Sequence, residues 1–379
     1  MIKFQEVTKE FKGNVVLDKI SMDIRDGELT VLIGPSGCGK TTTLKMINRL
    51  LPTSGGEIVI DDEPIESLDK VELRRRMGYV IQQGGLFPHM TIRQNIEIIE
   101  ELENKPKEEI MQNTLDLMKM VDMDPDEFLD RYPPELSGGQ QQRIGVIRAL
   151  ANDPEIILLD EPFSALDPIT RSSLQDELVE LHAKVGKTMI FVTHDMDEAI
   201  KIADRICIMK DGHILQFDTP EEILRNPADD FVASFVGLNR IWDSPEFIKV
   251  EDFMIKNPVT CTVDVAASKC ITRMRDHHID TLLVVDDDDR LLGIIGRKAL
   301  FKTKNPLVQA EKIMYPVKFF AHPTDSIVDV LKMIEEEDIS NVPVIDDDDR
   351  VVGLLTNSNL VSTLSKQFLT DETADEEVN

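Results

Sequence analysis

Two glycine-rich phrases constrain this 379-residue chain more than anything else in it: GPSGCGKTT at Gly34–Thr42 and LSGGQQQR at Leu136–Arg143. The first follows an apolar strand, ELTVLIG (Glu28–Gly34), and runs into a helix, TTLKMINRL, which is the context a phosphate-binding loop requires. Glycines let backbone N–H groups approach phosphate oxygens, and the positive end of a helix favours their charge. Gly34, Pro35, Ser36, Gly37, Cys38, Gly39, Lys40, Thr41 and Thr42 are therefore expected to wrap a nucleotide, with Lys40 on the β- and γ-phosphates and the Thr41 hydroxyl on Mg²⁺. The second phrase opens another helix at Ser137, Gly138, Gly139 and Gln140, so its N–H groups form a second anion site.

Between these phrases and a later strand lies the hydrolytic chemistry. Asp160 ends the apolar strand EIILLD, where it is expected to hold Mg²⁺ through water, and Glu161 follows at once, placed to polarise an attacking water. Strands and helices alternate through residues 1–237, which predicts a mostly parallel sheet with helices on both faces. Within that stretch the pattern turns purely helical and highly charged, predicting a helical subdomain over about 92–150. The last third holds an internal repeat offset by 60 residues, IDTLLVVDDDDRLLGIIGRKAL from Ile279 and ISNVPVIDDDDRVVGLLTNSNL from Ile339. Each copy reads as a helix and two strands joined by an acidic turn. The expected organisation is an ATPase domain 1–237, a linker 238–250, repeats 251–308 and 309–368, and an acidic, disordered tail 369–379.

Composition removes several alternatives. A net charge of −29 and a pI near 4.6 argue against an extended nucleic-acid surface. No apolar run reaches the roughly 18–20 residues that span a bilayer, and the start MIKFQEVTKE has no apolar signal region, so a cytoplasmic chain with membrane work done through partners is expected. Cys38, Cys207, Cys261 and Cys270 lack metal-ligand spacing and read as reduced thiols. Cys38, inside the phosphate loop, is expected to be open to alkylation, with nucleotide protecting it.

The order and spacing of GPSGCGKTT, LSGGQQQR and ILLDEP resemble the ATP-binding cassette (ABC) ATPases. That resemblance implies a P-loop ABC fold with a RecA-like core and a helical subdomain, a homodimer, and ATP with Mg²⁺. It also implies roles for further residues: Phe11 stacking on adenine, Gln82 sensing γ-phosphate and Mg²⁺, His194 touching the γ-phosphate, and Asp167 crossing the dimer interface. Ser137, Gly138 and Gly139 would then face the nucleotide held by the opposite subunit. The longer phrases RRRMGYVIQQGGLFPHMTI, RYPPELSGGQQQRIGVIRAL and EPFSALDPITR resemble the ATP-binding subunits of bacterial quaternary-amine osmolyte importers, which take up glycine betaine, carnitine, choline or proline. This implies a membrane permease, an extracellular binding protein, and a peripheral position on the inner face of the membrane. A soluble regulatory ABC ATPase uncoupled from transport is the alternative.

The repeat is similar to the tandem CBS domains that such ATPases carry. Nucleotide-binding CBS domains keep a hydroxyl residue and, three positions on, an Asp; here Gly296 and Ala299 stand there in one copy, Thr356 and Asn359 in the other. Ordinary adenine-nucleotide sensing is therefore not expected, while a cyclic dinucleotide stays open. In related importers the pair is linked to ionic-strength control by contact with anionic lipid. Arg297, Lys298, Lys302 and Lys304 form a basic cluster suited to such a surface.

Overall fold

The computed structural model describes residues 1–81, 85–237, 240–303, 305–363 and 365, and the chain divides into two compact units, Met1–Gly237 and Leu238–Asn379. Gln82 and Gln83, Lys304 and the acidic tail lie outside the described residues.

In the first unit, strands Leu29–Ile33, Ile156–Asp160 and Thr188–Val192 are buried at every position. Such mainly apolar, fully buried runs suit a parallel sheet covered on both faces. They form the middle of a six-stranded sheet in the order His213–Asp218, Arg205–Lys210, Leu29–Ile33, Thr188–Val192, Ile156–Asp160, Met77–Val80. Only the first pair in that order is antiparallel. A second, antiparallel sheet of four strands (Asn14–Ile24, Ile2–Phe11, Gly55–Ile60, Glu63–Pro64) carries Phe11 at one strand end. Its alternating burial marks one packed and one solvated face.

Helices Ile92–Leu102, Lys107–Met120 and Gly138–Leu150 make up the helical part, and Ile96, Met118, Ile144 and Ile147 join its core to that of the large sheet. Helix Ile92–Leu102 starts at a capping box in which Thr91 and Gln94 satisfy each other's backbone amides. Helix Pro168–Val185 begins with Asp167 as cap and Pro168 in the first turn, and stops at Gly186 in left-handed conformation.

The second unit contains the two copies, each a helix followed by an antiparallel strand pair: Ala267–Asp276, Thr281–Val285 and Leu291–Gly296, then Ile327–Glu336, Asn341–Ile345 and Val351–Thr356. The copies are interlocked. Strand Ile255–Lys256, which precedes the first copy, pairs with Leu354 and Gly353 of the second. Tyr315, sixty positions on, exchanges both backbone bonds with Ile294 of the first. Glycine at 293 and 353 follows from this crossing. A Cβ on Gly353 would stand 2.5 Å from Met254 Sδ, and one on Gly293 would stand 2.9 Å from Met314 Sδ.

The ends of the two copies pack across one another. Ile248 and Val250, read as linker, are buried in the core of the second copy beside Phe253, Val342 and Leu355. Ala310 and Ile313, assigned to the second repeat, are buried in the core of the first. The leading segment of each copy therefore completes the core of the other.

Candidate functional site

The phosphate loop joins strand Leu29–Ile33 to helix Lys40–Ile47. Gly34, Gly37 and Gly39 have φ of 152°, 83° and 108°, a region that favours glycine. A Cβ at Gly34 would fall 2.0 Å from the Met209 carbonyl oxygen, so glycine is required there on space as well. Lys40 is only 6 % exposed, and its Nζ donates to the carbonyls of Gly34 (2.6 Å) and Pro35 (3.1 Å). The ammonium is thus held inside the cradle that the backbone makes.

Thr41 and Asp160, far apart in sequence, meet: Thr41 Oγ1 donates to Asp160 Oδ1 at 2.8 Å. A hydroxyl and a carboxylate side by side next to a phosphate cradle suit Mg²⁺, a hard ion that takes few protein oxygens and completes its shell with phosphate and water. Tyr79, on the adjacent strand, donates its hydroxyl to Asp160 Oδ2 at 3.4 Å. Burial and the nearby Asp160 charge push the phenol's pKa up, which keeps it a donor. Sequence reasoning missed Tyr79. The signal that could have found it is an aromatic hydroxyl in the strand leading to Gln82.

Glu161 adopts a left-handed φ of 46°, donates its N–H to the Val192 carbonyl at 3.0 Å, and accepts Ser164 Oγ on its own carbonyl at 3.0 Å. His194 follows strand Thr188–Val192, and its Nδ1 lies 3.6 Å from Glu161 Oε2. Four expected groups (Lys40, Thr41 with Asp160, Glu161 and His194) therefore gather at the ends of three neighbouring parallel strands. Ligand sites in open α/β sheets sit at such strand ends.

Phe11 is 41 % exposed, with Lys9 Nζ 4.7 Å from its ring centroid. An open aromatic face of this kind suits stacking on a base, and the ring is not core. Cys38 is 4 % exposed, and burial pushes its thiol pKa up despite the Lys40 charge nearby. The loop thiol is accordingly shielded, contrary to the alkylation expected from sequence. Cys207, Cys261 and Cys270 are also buried free thiols.

Ser137 caps helix Gly138–Leu150: its Oγ accepts the Gln140 N–H, and Gln140 Oε1 accepts the Ser137 N–H. Ser137 and Gly138 are exposed. Among the described residues, no hydrogen bond joins 137–140 to the phosphate loop. Asp167 is exposed and caps its own helix by accepting the Thr170 N–H at 3.1 Å; hydrogen bonds from the Thr170 side chain and then its amide lower the pKa of Asp167.

The sequence pattern of the ABC transporter family matches residues 17–164, and that of the CBS domain matches 250–304 and 310–366. The carnitine transport ATP-binding protein OpuCA of Listeria monocytogenes is 49 % identical over 95 % of this chain and 91 % of its own length. The glycine betaine/carnitine/choline transport ATP-binding protein OpuCA of Bacillus subtilis is 48 % identical over 98 % of each chain. This chain is an ABC-transporter ATP-binding subunit with tandem CBS domains. Among solved structures, the dimeric post-hydrolysis form of the cassette MJ0796, bound to ADP and Pi, aligns with a TM-score of 0.53 at 36 % identity over 58 % of this chain and 99 % of that one. The P-loop ABC ATPase fold expected from sequence is thus the fold of this subunit.

Proposed function

We propose that this subunit hydrolyses ATP to drive import of quaternary amines of the glycine betaine, carnitine or choline type through a membrane permease. What carries the reading is the combination of an intact hydrolytic cluster with near end-to-end similarity to OpuCA, including the CBS pair. Lys40 and the loop amides bind the triphosphate, and Phe11 offers its open face to adenine. Thr41 and Asp160 would hold Mg²⁺, which neutralises charge on the β- and γ-phosphates when bound. Glu161 orients and polarises the attacking water, and His194 beside it contacts the γ-phosphate. Ser137 and Gly138, exposed at the helix start, and Gly139 behind them turn their amides to the nucleotide of a second subunit, with Asp167 close to that contact. ATP binding and dimer closure are then one event. Gln82 would complete the γ-phosphate contacts.

The permease has a suitable place to dock. Tyr79, Phe87, Ile99, Leu102 and Arg148 line an apolar cavity of about 530 Å³, with Phe87 and Leu102 exposed. Arg148, on the helix that Ser137 caps, reaches the Gly85 carbonyl at this cavity. No helix among the described residues is long and apolar enough to cross a membrane, so the permease supplies the path.

Regulation through the CBS pair by ionic strength is part of the same proposal. Arg297, Lys298 and Lys302 are exposed on one short helix, although Arg297 is engaged by Asp280 at 3.1 Å. A nucleotide in the second copy is less favoured, because Thr356 Oγ1 accepts the Asn359 N–H and Asn359 Nδ2 donates to the Phe253 carbonyl. Both side chains serve the fold.

The test is uptake of labelled glycine betaine, carnitine and choline in cells lacking other osmolyte importers, supplied with this chain and its permease. Uptake should require the wild-type chain and vanish with Glu161→Gln. Uptake equal with and without the chain would refute the import role.

A further inference from the structure

The residues expected around the γ-phosphate and at the subunit contact come from separate segments: the histidine loop at 194–195, the turn at 164–167, and the helix opening at Gly138. Arg171, in the first turns of helix Pro168–Val185, joins them. Its Nη2 donates to the Leu166 carbonyl at 3.1 Å, and its Nη1 lies 3.6 Å from Asp195 Oδ2, next to His194. Leu166 in turn touches the signature helix. Its Cδ2 stands 3.4 Å from where a Cβ on Gly138 would be, and Thr170 Cγ2 stands 2.8 Å from the same point on Gly139.

Below this contact helices Pro168–Val185 and Met196–Ile202 are tied by a buried pair, Gln175 Nε2 donating to Glu198 Oε1 at 3.1 Å. Asp195 caps helix Met196–Ile202 through the amides of Asp197 and Glu198. The base of the junction is therefore rigid, and the guanidinium sits at its loose upper end. Arg171 Nε is buried with no partner, and its carboxylate partner stands beyond the roughly 2.7–2.9 Å of a closed charge-assisted bond. Moving the histidine loop by under about 1 Å would engage that donor set.

We propose that Arg171 is a positioning residue that couples the histidine loop to the turn carrying Leu166 and Asp167. When His194 closes on the γ-phosphate, Asp195 moves with it. Arg171 passes that shift to the segment facing the second subunit. The coupling rests on the ATPase reading above but adds to it a transmission role for a residue that need not touch nucleotide.

The experiment uses the full chain as wild type, Arg171→Met, Arg171→Lys, Asp195→Asn and the double Arg171→Met/Asp195→Asn. Four quantities are measured: single-subunit MgATP affinity, ATP turnover against ATP concentration, ATP-driven dimer formation in a Glu161→Gln background, and thermal midpoint. Arg171→Met should leave MgATP affinity unchanged, lower kcat about tenfold and flatten the cooperativity of the ATP curve. Arg171→Lys should recover part of both, and the double variant should be no worse than the more impaired single, as expected for one shared contact. A fall in thermal midpoint with wild-type kcat and cooperativity, in Arg171→Lys and Asp195→Asn as well as in Arg171→Met, would overturn the coupling and leave a purely structural residue. Absence of turnover in the wild type would instead overturn the ATPase reading itself.

Discussion

Asp160 in the ATPase unit and Asp286 and Asp346 in the CBS unit occupy the same local place, the end of a buried apolar strand. Their fates differ. Asp286 Oδ1 accepts the amides of Asp288 and Arg290, both at 2.9 Å, and Asp346 accepts those of Asp348 and Arg350 at 3.0 and 2.8 Å. Each is used up by its own tight turn. The two turns then join, with Leu291 donating to the Asp349 carbonyl and Val351 to the Asp289 carbonyl. After Asp160 the chain does not fold back onto the carboxylate. Glu161 carries its amide to Val192, and Asp160 is left to Thr41 and Tyr79. A strand-end carboxylate serves chemistry when its loop leads away and serves the fold when its loop returns.

The sharpest way to break this contrast is Glu161→Gln, which keeps the shape of the loop but cannot polarise water. ATP turnover, followed by phosphate release, should fall by about 10²–10⁴-fold while MgATP still binds and dimers accumulate. A near wild-type rate would remove Glu161 from the role of base.

Asp160→Ala and Asp346→Ala test the comparison directly. The first should abolish the Mg²⁺-dependent part of nucleotide binding. The second should leave ATPase kinetics of the dimer intact and destabilise the CBS unit by about 2 kcal/mol, for two lost hydrogen bonds of about 1 kcal/mol each. If Asp346→Ala impairs MgATP binding as Asp160→Ala does, the distinction drawn from loop direction fails.

A further variant sharpens the account of the interlocked copies. Gly353→Val must push Met254 aside, and the cost of such overpacking is about 1–3 kcal/mol. Chemical denaturation should show the loss in the CBS unit alone. The smallest effect concerns Cys38. Because burial raises its thiol pKa, little thiolate exists near pH 8, and modification should be slow and speed up as pH rises. Mass spectrometry of iodoacetamide-treated protein checks this, and rapid labelling at pH 7 would show that the loop is more open than its burial implies.

The phosphate loop, Asp160, Glu161 and the 60-residue repeat were legible as words in the sequence, whereas His194 was marked only by the resemblance to ABC ATPases. The loop and its carboxylates depend on local rules: glycine where φ is positive, a helix start behind a strand, and buried apolar runs that end in an acidic residue. Other features depend on chain crossings that no local pattern records. Tyr79 reaches Asp160 only because strands Met77–Val80 and Ile156–Asp160 lie side by side. Arg171 finds Asp195 only because helices Pro168–Val185 and Met196–Ile202 pack on each other. Cys38 looks exposed in a glycine loop, yet folding buries it. The interlocking of the two copies has the same origin. Sequence periodicity counts residues along one strand of chain, whereas a core is completed by whichever segment arrives there, and in the CBS unit the arriving segment belongs to the other copy.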